Sequence, residues 1–183
     1  MYISGGNQLI DPKNIIKKAD LEEGFRVADF GCGGAGHFVV PSARAVGPKG
    51  RVFAVDILRS VLTEINKKAR MEGLGNIKGV WANLEILGST KIPEKSLDVV
   101  YLINILFQSK ERENIFHEAK RVLKPGGKLL VVDWTSRAVP FGPPRIDRVK
   151  PKGIRLLADS MSFALIDEFE AGKYHFGLLF NRT

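Results

Sequence analysis

The 183-residue chain is short of several things, and each shortage removes a class of function. Cys32 is the only cysteine, so no intramolecular disulfide can form and a reducing compartment is expected. The three histidines lack metal-ligand spacing, so no metal site is expected. No apolar run reaches bilayer length: the longest, around Val99 to Phe107, is far too short to span. The N-terminal stretch carries Asp11, Lys13, Lys17 and Lys18 where a signal peptide would be apolar. These features predict a soluble, cytoplasmic protein. Acidic residues are also scarce, 20 against 28 Lys and Arg, which leaves a net charge of +8. That balance permits attraction to nucleic acid, anionic lipid or an anionic substrate, and it equally describes a solvated basic surface. No repeat, low-complexity tract or interdomain linker interrupts the chain, so one domain over residues 1–183 is expected.

What is present is an alternation of short β-branched runs with helical spacing, the pattern of βαβ units around a parallel sheet. Ile15, Ile16 and Ala19 predict a leading helix entered at Asp11-Pro12. Strands are expected at Arg26 to Phe30, Arg51 to Asp56, Ile77 to Ala82, Leu97 to Ile103 and Lys128 to Trp134. The fourth is nearly all apolar, as a central parallel strand should be. Helices are expected to carry Val39, Ala43 and Val46, then Leu58, Val61, Leu62, Ile65 and Ala69, then Ile115, Ala119 and Val122. Residues 135–155 form a basic, proline-rich segment with a short helix beginning near Gly153. Phe163 to Phe169 and His175 to Phe180 then flank Glu170-Ala171-Gly172-Lys173, which reads as a hairpin turn. The predicted fold is α/β, with a mostly parallel seven-stranded sheet closed by an antiparallel C-terminal hairpin.

The stretch VADFGCGGAGHF places four glycines within six residues, directly after the first strand. Gly31, Gly33 and Gly36 spell GxGxxG, a weak signal by itself. In an open parallel sheet a ligand sits beyond the carboxyl ends of the strands at this point. A dinucleotide would put its pyrophosphate against the turn, where Asp29 would add like charge. A ligand with a cationic amino-acid end and no phosphate fits better, and S-adenosylmethionine is such a ligand. The bland alternative for Asp29 is a cap on the turn. Asp56 ends the second strand, where a carboxylate can accept from both ribose hydroxyls. It can also cap the helix that follows, and the two roles are compatible.

VADFGCGGAGHF, AVDI, LDVVYLINIL and RVLKPGGKLLVVDW together resemble successive motifs of the class I S-adenosylmethionine-dependent methyltransferases. The likeness covers roughly residues 10–134 and is greatest to the small-molecule branch that includes the ubiquinone and menaquinone biosynthesis enzymes. It implies a Rossmann-like methyltransferase domain and S-adenosylmethionine as cofactor. It implies that Asp29, Gly31 and Gly33 form the methionine-binding turn and that Asp56 is the ribose acid. It places Ile57 against the adenine, with Asn83 and Leu84 on the adenine side, Asn83 standing where the family often has Asp. The family spacing puts Ala35 at the third glycine, with Gly36 one residue late. Asn104, at the end of the fourth strand, falls where methyl donor and acceptor meet. The first 25 residues become a lid, and residues 135–155 a substrate-side segment.

Methyl transfer needs alignment more than acid–base chemistry, so an indispensable catalytic side chain is not required. Asn104 is the leading positioning candidate, with Gln108 and with His37, read as lying in the first turn of a helix, behind it. Tyr174 and His175, opening the last strand, are expected far from the cofactor. The fourth strand continues as Asn104-Ile105-Leu106-Phe107 and not as Asn/Asp-Pro-Pro-Tyr, which lowers the odds of an amino-group acceptor of that kind. A single cysteine also disfavours arsenite methylation, and Cys32 reads as a small residue filling the turn. The expected acceptor is a small molecule. Arg137, Arg145, Arg148, Lys150, Lys152 and Arg155 against one Asp147 raise the reading of an anionic one. The alternatives are an RNA methyltransferase on the same fold and a non-catalytic cofactor-binding protein, with a nicotinamide-linked oxidoreductase last.

Overall fold

Asp11 starts the first helix by accepting the Lys13 N–H at 2.9 Å, and Pro12 follows at a position where its missing N–H costs nothing. The computed structural model describes residues 6–137 and 139–183. Helix α1 (Pro12–Ala19) buries Ile15 and Ala19, and strand β1 (Arg26–Phe30) follows. Then come α2 (Val39–Val46), β2 (Arg51–Asp56), α3 (Arg59–Met71) and β3 (Ile77–Trp81). The second half has β4 (Leu97–Ile103), α4 (Arg112–Val122), β5 (Leu123–Trp134), α5 (Pro151–Ser160), β6 (Phe163–Gly172) and β7 (His175–Arg182).

The seven strands lie in the order β3-β2-β1-β4-β5-β7-β6, with β7 antiparallel to both its neighbours. Helices α1, α2 and α3 cover one face through Ile15, Val39, Ala43 and Ile65, while α4 and α5 cover the other through Phe116, Ala119 and Ala158. β4 is covered on both faces, which is why Val99, Val100, Tyr101 and Leu102 are all buried. Among the described residues no helix is long and apolar enough to cross a membrane.

Three local expectations shift. The glycine turn does not run straight into a helix, because α2 begins only at Val39 and leaves His37 before it. Strand β5 starts five residues early: Leu97 pairs with Leu123 and Val99 with Lys128, so Lys124 to Gly127 bulge within the ladder. The hairpin turn shrinks to Lys173-Tyr174, since Glu170 to Gly172 stay paired through another register shift.

Between β3 and β4 no helix forms, and residues 82–96 are held instead by a buried carboxylate. Glu118 accepts from Thr90 Oγ1 at 2.5 Å, the Gly88 N–H at 2.7 Å and the Arg121 guanidinium at 2.7 and 2.9 Å. Burial acts to raise the Glu118 pKa, but the donors from Arg121, Thr90 and Gly88 outweigh it and hold the group below its ordinary value. Its stabilising contribution is therefore complete above the unfolded value of 4.5 and fades as pH falls below it. Glu118→Gln should cost about 3 kcal/mol or more at pH 7, because Arg121 loses its partner. The loss should shrink at pH 3.5 in urea titrations; equal losses at the two pH values would count against this role.

Candidate functional site

The parallel strands β1, β2, β4 and β5 all end at one edge of the sheet, and the crossovers leave β1 and β4 in opposite directions. A crevice must open there. Gly31 turns the chain out of β1 at φ 76°, and a Cβ at this position would stand 2.6 Å from Ile105 Cδ1, so only glycine fits. The Gly31 and Cys32 N–H groups donate to the Val55 carbonyl at 2.8 and 3.1 Å, and the Gly33 N–H donates to Asp56 Oδ2 at 3.3 Å. The turn is thus tied to β2, not to Asp29. Cys32 is buried within it.

Asp29 is 2% exposed, and its Oδ2 has no hydrogen-bond partner among the described residues. Burial, and then repulsion from Asp56, push its carboxyl up to about 7. A capping role is absent, and what remains is an unpaired acid beside a glycine turn. Asp56 Oδ1 accepts the Leu58 N–H at 3.0 Å and so prepares the start of α3. Each of its oxygens retains accepting capacity. Both carboxylates thus keep acceptor capacity beside the glycine turn.

The other expected contacts divide. Ile57 is 55% exposed and lines, with Asn83, one end of a groove of about 840 Å³ that runs along β2 and β3 back to Arg26 and Arg51. The Ile57 carbonyl accepts from Trp81 Nε1 at 2.8 Å, and Asn83 Oδ1 accepts the Glu85 N–H at 3.0 Å. Leu84 is buried in the core and can only back that groove. Gly36 points away from the crevice: a Cβ there would meet Ile65 Cδ1 of α3 at 3.0 Å. Its requirement is packing of the turn on α3, while Gly33, Gly34 and Ala35 line the crevice itself.

That crevice is a cleft of about 830 Å³ over the ends of β1, β4 and β5, walled by Gly33, Asn104, Phe107, Trp134, Pro143 and Ile146. Asn104 leaves β4 with φ 54°, and its carbonyl accepts from Gln108 Nε2 at 2.8 Å. Its Nδ2 donates to Asn7 Oδ1 at 2.9 Å. His37 Nε2 donates to the Ile10 carbonyl at 2.8 Å. Asn104 and His37 therefore bind residues 6–10 against the cleft; residues 1–5 of the expected lid lie outside the described residues. Asp133, next to Trp134, has a carboxyl raised by burial to about 7, against the pull of the Trp134, Phe107 and Leu106 N–H groups. Its Oδ1 accepts the Trp134 N–H at 2.8 Å, and its Oδ2 has no partner among the described residues.

Trp134 is the residue that sequence reasoning passed over, although it ends KLLVVDW at the ligand edge of the sheet. His175 packs against it with ring centres 4.4 Å apart and planes tilted by 47°, is itself buried, and has its pKa pushed down to about 4 by burial and the Arg148 charge. His175 thus backs a cleft-lining residue, while neither it nor Tyr174 lines the cleft itself. The reason is topological: an antiparallel strand begins at the edge where the parallel strands end. Within the basic segment, Gly142, Pro143, Ile146 and Asp147 line the cleft. The arginines of that segment are largely engaged elsewhere. Arg148 donates to the carbonyls of Pro143, Thr135 and Arg137 at 3.0, 2.9 and 2.7 Å, and Arg155 pairs with Glu168. The cationic side chains lining the cleft are Lys110 and Arg112.

A family profile described as the methyltransferase domain matches residues 28–131. The chain is 34% identical over 134 residues to a ubiquinone/menaquinone biosynthesis C-methyltransferase of Vibrio vulnificus, covering 73% of this chain and 50% of that protein. It is 30% identical over 130 residues to a demethylmenaquinone methyltransferase of Geobacillus kaustophilus, covering 71% and 53%. It therefore spans about half the length of the curated relatives it matches. The crystal structure of a SAM-dependent methyltransferase from Aquifex aeolicus superposes with a TM-score of 0.87 at 25% identity, covering 96% of this chain and 92% of that one.

Proposed function

Since the chain belongs to the class I S-adenosylmethionine-dependent methyltransferases, we propose that it methylates a small molecule held in the cleft of about 830 Å³. The observation that carries this reading is Asp29, a buried carboxylate without a partner among the described residues at the mouth of the glycine turn. Asp29 would take the cofactor's ammonium group and Asp56 the ribose hydroxyls, with Gly31 and Gly33 letting the backbone approach. Ile57 and Asn83 would border the adenine. The cofactor, when bound, supplies a methyl group activated by a sulfonium.

Asn104 would orient the acceptor, and residues 6–10 together with Trp134 would keep water out. His37 holds its Nε2 proton toward the Ile10 carbonyl, so it serves the wall of the cleft rather than base catalysis. Alignment alone can be worth effective molarities of about 10⁵ to 10⁸ M. Phe107, Trp134 and Ile146 suit an acceptor with an apolar body, and Lys110 with Arg112 suits an anionic or oxygen-bearing end. The curated relatives bear names from quinone biosynthesis, in keeping with an acceptor of this polarity. A lone buried cysteine suits a cytoplasmic setting.

Labelled S-adenosylmethionine incubated with the protein and a cell extract tests the reading, with label followed into small molecules, RNA and protein. Label is expected among small molecules; label in RNA alone would overturn the acceptor class. Asn104→Gly keeps the left-handed backbone and removes the amide. It should lower transfer by about tenfold to a hundredfold, the effect of lost orientation, with cofactor affinity little changed. Equal losses in both would reassign Asn104 to cofactor binding.

A further inference from the structure

Two polar groups in the cleft wall have no partner among the described residues: the Nε1–H of Trp134 and Oδ1 of Asn104. Both residues are buried, Trp134 to 2% exposure, and buried polar atoms left unpaired are uncommon enough to require a reason. Trp134 cannot swing to find a partner. A Cβ on Gly142 would stand 2.7 Å from its Cη2, and one on Gly6 would stand 2.6 Å from its Cζ2. His175 packs against the ring, and the Arg148 guanidinium sits 5.5 Å from its centre. The direction of the N–H is therefore set by the fold.

The two side chains are neighbours. The point where a Gly6 Cβ would lie is 3.2 Å from Trp134 Cε2, the carbon bearing Nε1, and 3.1 Å from Asn104 Nδ2. They do not bond to each other, and one group that both accepts and donates can satisfy the pair. A carboxylate or ether only accepts and an ammonium only donates. A hydroxyl does both. Above the pair lies the Gly6–Leu9 turn, which has no buried residue of its own and is fastened to Asn104 by the Asn7 side chain.

We propose that Trp134 and Asn104 are a matched donor and acceptor for a hydroxyl group of the methyl acceptor, and that the Gly6–Leu9 turn covers them until the acceptor enters. The inference rests on the cleft being the acceptor site, and it makes Trp134 a specificity-determining residue. It also explains glycine at positions 6 and 142, where a side chain would displace the indole.

The sequence contains two tryptophans, so ¹⁵N-indole labelling gives two resonances in the whole chain. Trp81 is the internal control, because its Nε1–H already donates to the Ile57 carbonyl. With S-adenosylhomocysteine bound, phenol should shift the Trp134 resonance downfield to saturation and leave Trp81 in place. Anisole, which has the ring and oxygen but no hydroxyl proton, should bind about tenfold more weakly, the worth of roughly one hydrogen bond. In Asn104→Gly that preference should fall to within about twofold, whereas Trp134→Phe should weaken phenol and anisole alike and leave the preference in place, since either oxygen can accept from the indole. A Trp134 resonance unmoved by phenol, or anisole binding as well as phenol, would overturn the proposal. Failure of S-adenosylhomocysteine to bind in calorimetry would instead count against the methyltransferase reading.

Discussion

Cofactor affinity should fall about tenfold for each pH unit below 7, because binding then requires Asp29 to lose a proton. Buried without a partner and facing the Asp56 charge, Asp29 is held up to about 7 in the free protein. A neutral carboxyl attracts an ammonium group poorly, so the bound state selects the ionised form and expels the proton. Above pH 8 the cofactor's own amino group, with an ordinary pKa of about 7.7–8.0, loses its charge. Affinity should therefore peak between pH 7 and 8. Calorimetry with S-adenosylhomocysteine from pH 5 to 8, in two buffers of different ionisation enthalpy, reads both the slope and the released proton. Asp29→Asn should bind weakly and with a flat profile over the same range. A flat profile in the wild-type protein would remove Asp29 from the ammonium site.

The same raised pKa acts on stability with the opposite sense. The folded chain prefers Asp29 protonated, so its contribution to stability is fully present below its ordinary value near 3.8 and is lost as pH rises through about 7. Asp133, also raised to about 7, adds to the effect. The unliganded protein should thus melt at a lower temperature at pH 8 than at pH 6, and cofactor should recover more of the difference at pH 8. This window lies above the one governed by Glu118, which weakens the fold only under acid conditions.

Asp56→Ala should reduce affinity for S-adenosylmethionine and S-adenosylhomocysteine alike, by about a hundredfold. Hydrogen bonds to a charged group are worth about 1.5–3 kcal/mol each, and two ribose hydroxyls are at stake. The substitution also strips the acceptor from the Gly33 and Leu58 N–H groups, so some loosening of the glycine turn is expected. Asp56→Asn separates the effects. It keeps one oxygen for the turn and halves the capacity for ribose, and it should fall between wild type and alanine. NADH should show no binding to any of the three, since Asp29 repels the phosphates. Wild-type affinity in a folded Asp56→Ala protein would end the ribose assignment.

Much of the site was open to reading because parallel βα units bring motif positions together by construction. Asp29, next to last in β1, and Asp56, last in β2, lie on adjacent strands in register, Asp29 beside Ala54 and Phe30 beside Val55, so two acids 27 residues apart in the chain come to one edge. The strand-ending acid, the glycine turn and the closing hairpin are local signals, each set by alternation, by backbone freedom or by a stop residue. Gly36 belongs to a different case. Its place in a GxGxxG suggested ligand contact, whereas the reason for it is the close approach of Ile65, a residue on another helix.

Sequence by itself determined the order of strands and helices, the α/β class, the family and the identity of the cofactor, since these follow from periodicity and short motifs. Only the tertiary structure decided which polar groups are left without partners. Trp134 became a cleft residue because β7 runs antiparallel and brings His175 against it, and because Gly6 and Gly142 close over its ring. Arg148 looked like free charge for an acceptor and proved to be a strut across three carbonyls. Hydrogen-bond satisfaction depends on groups that are distant in the chain and adjacent in space, and no local pattern of residues encodes it.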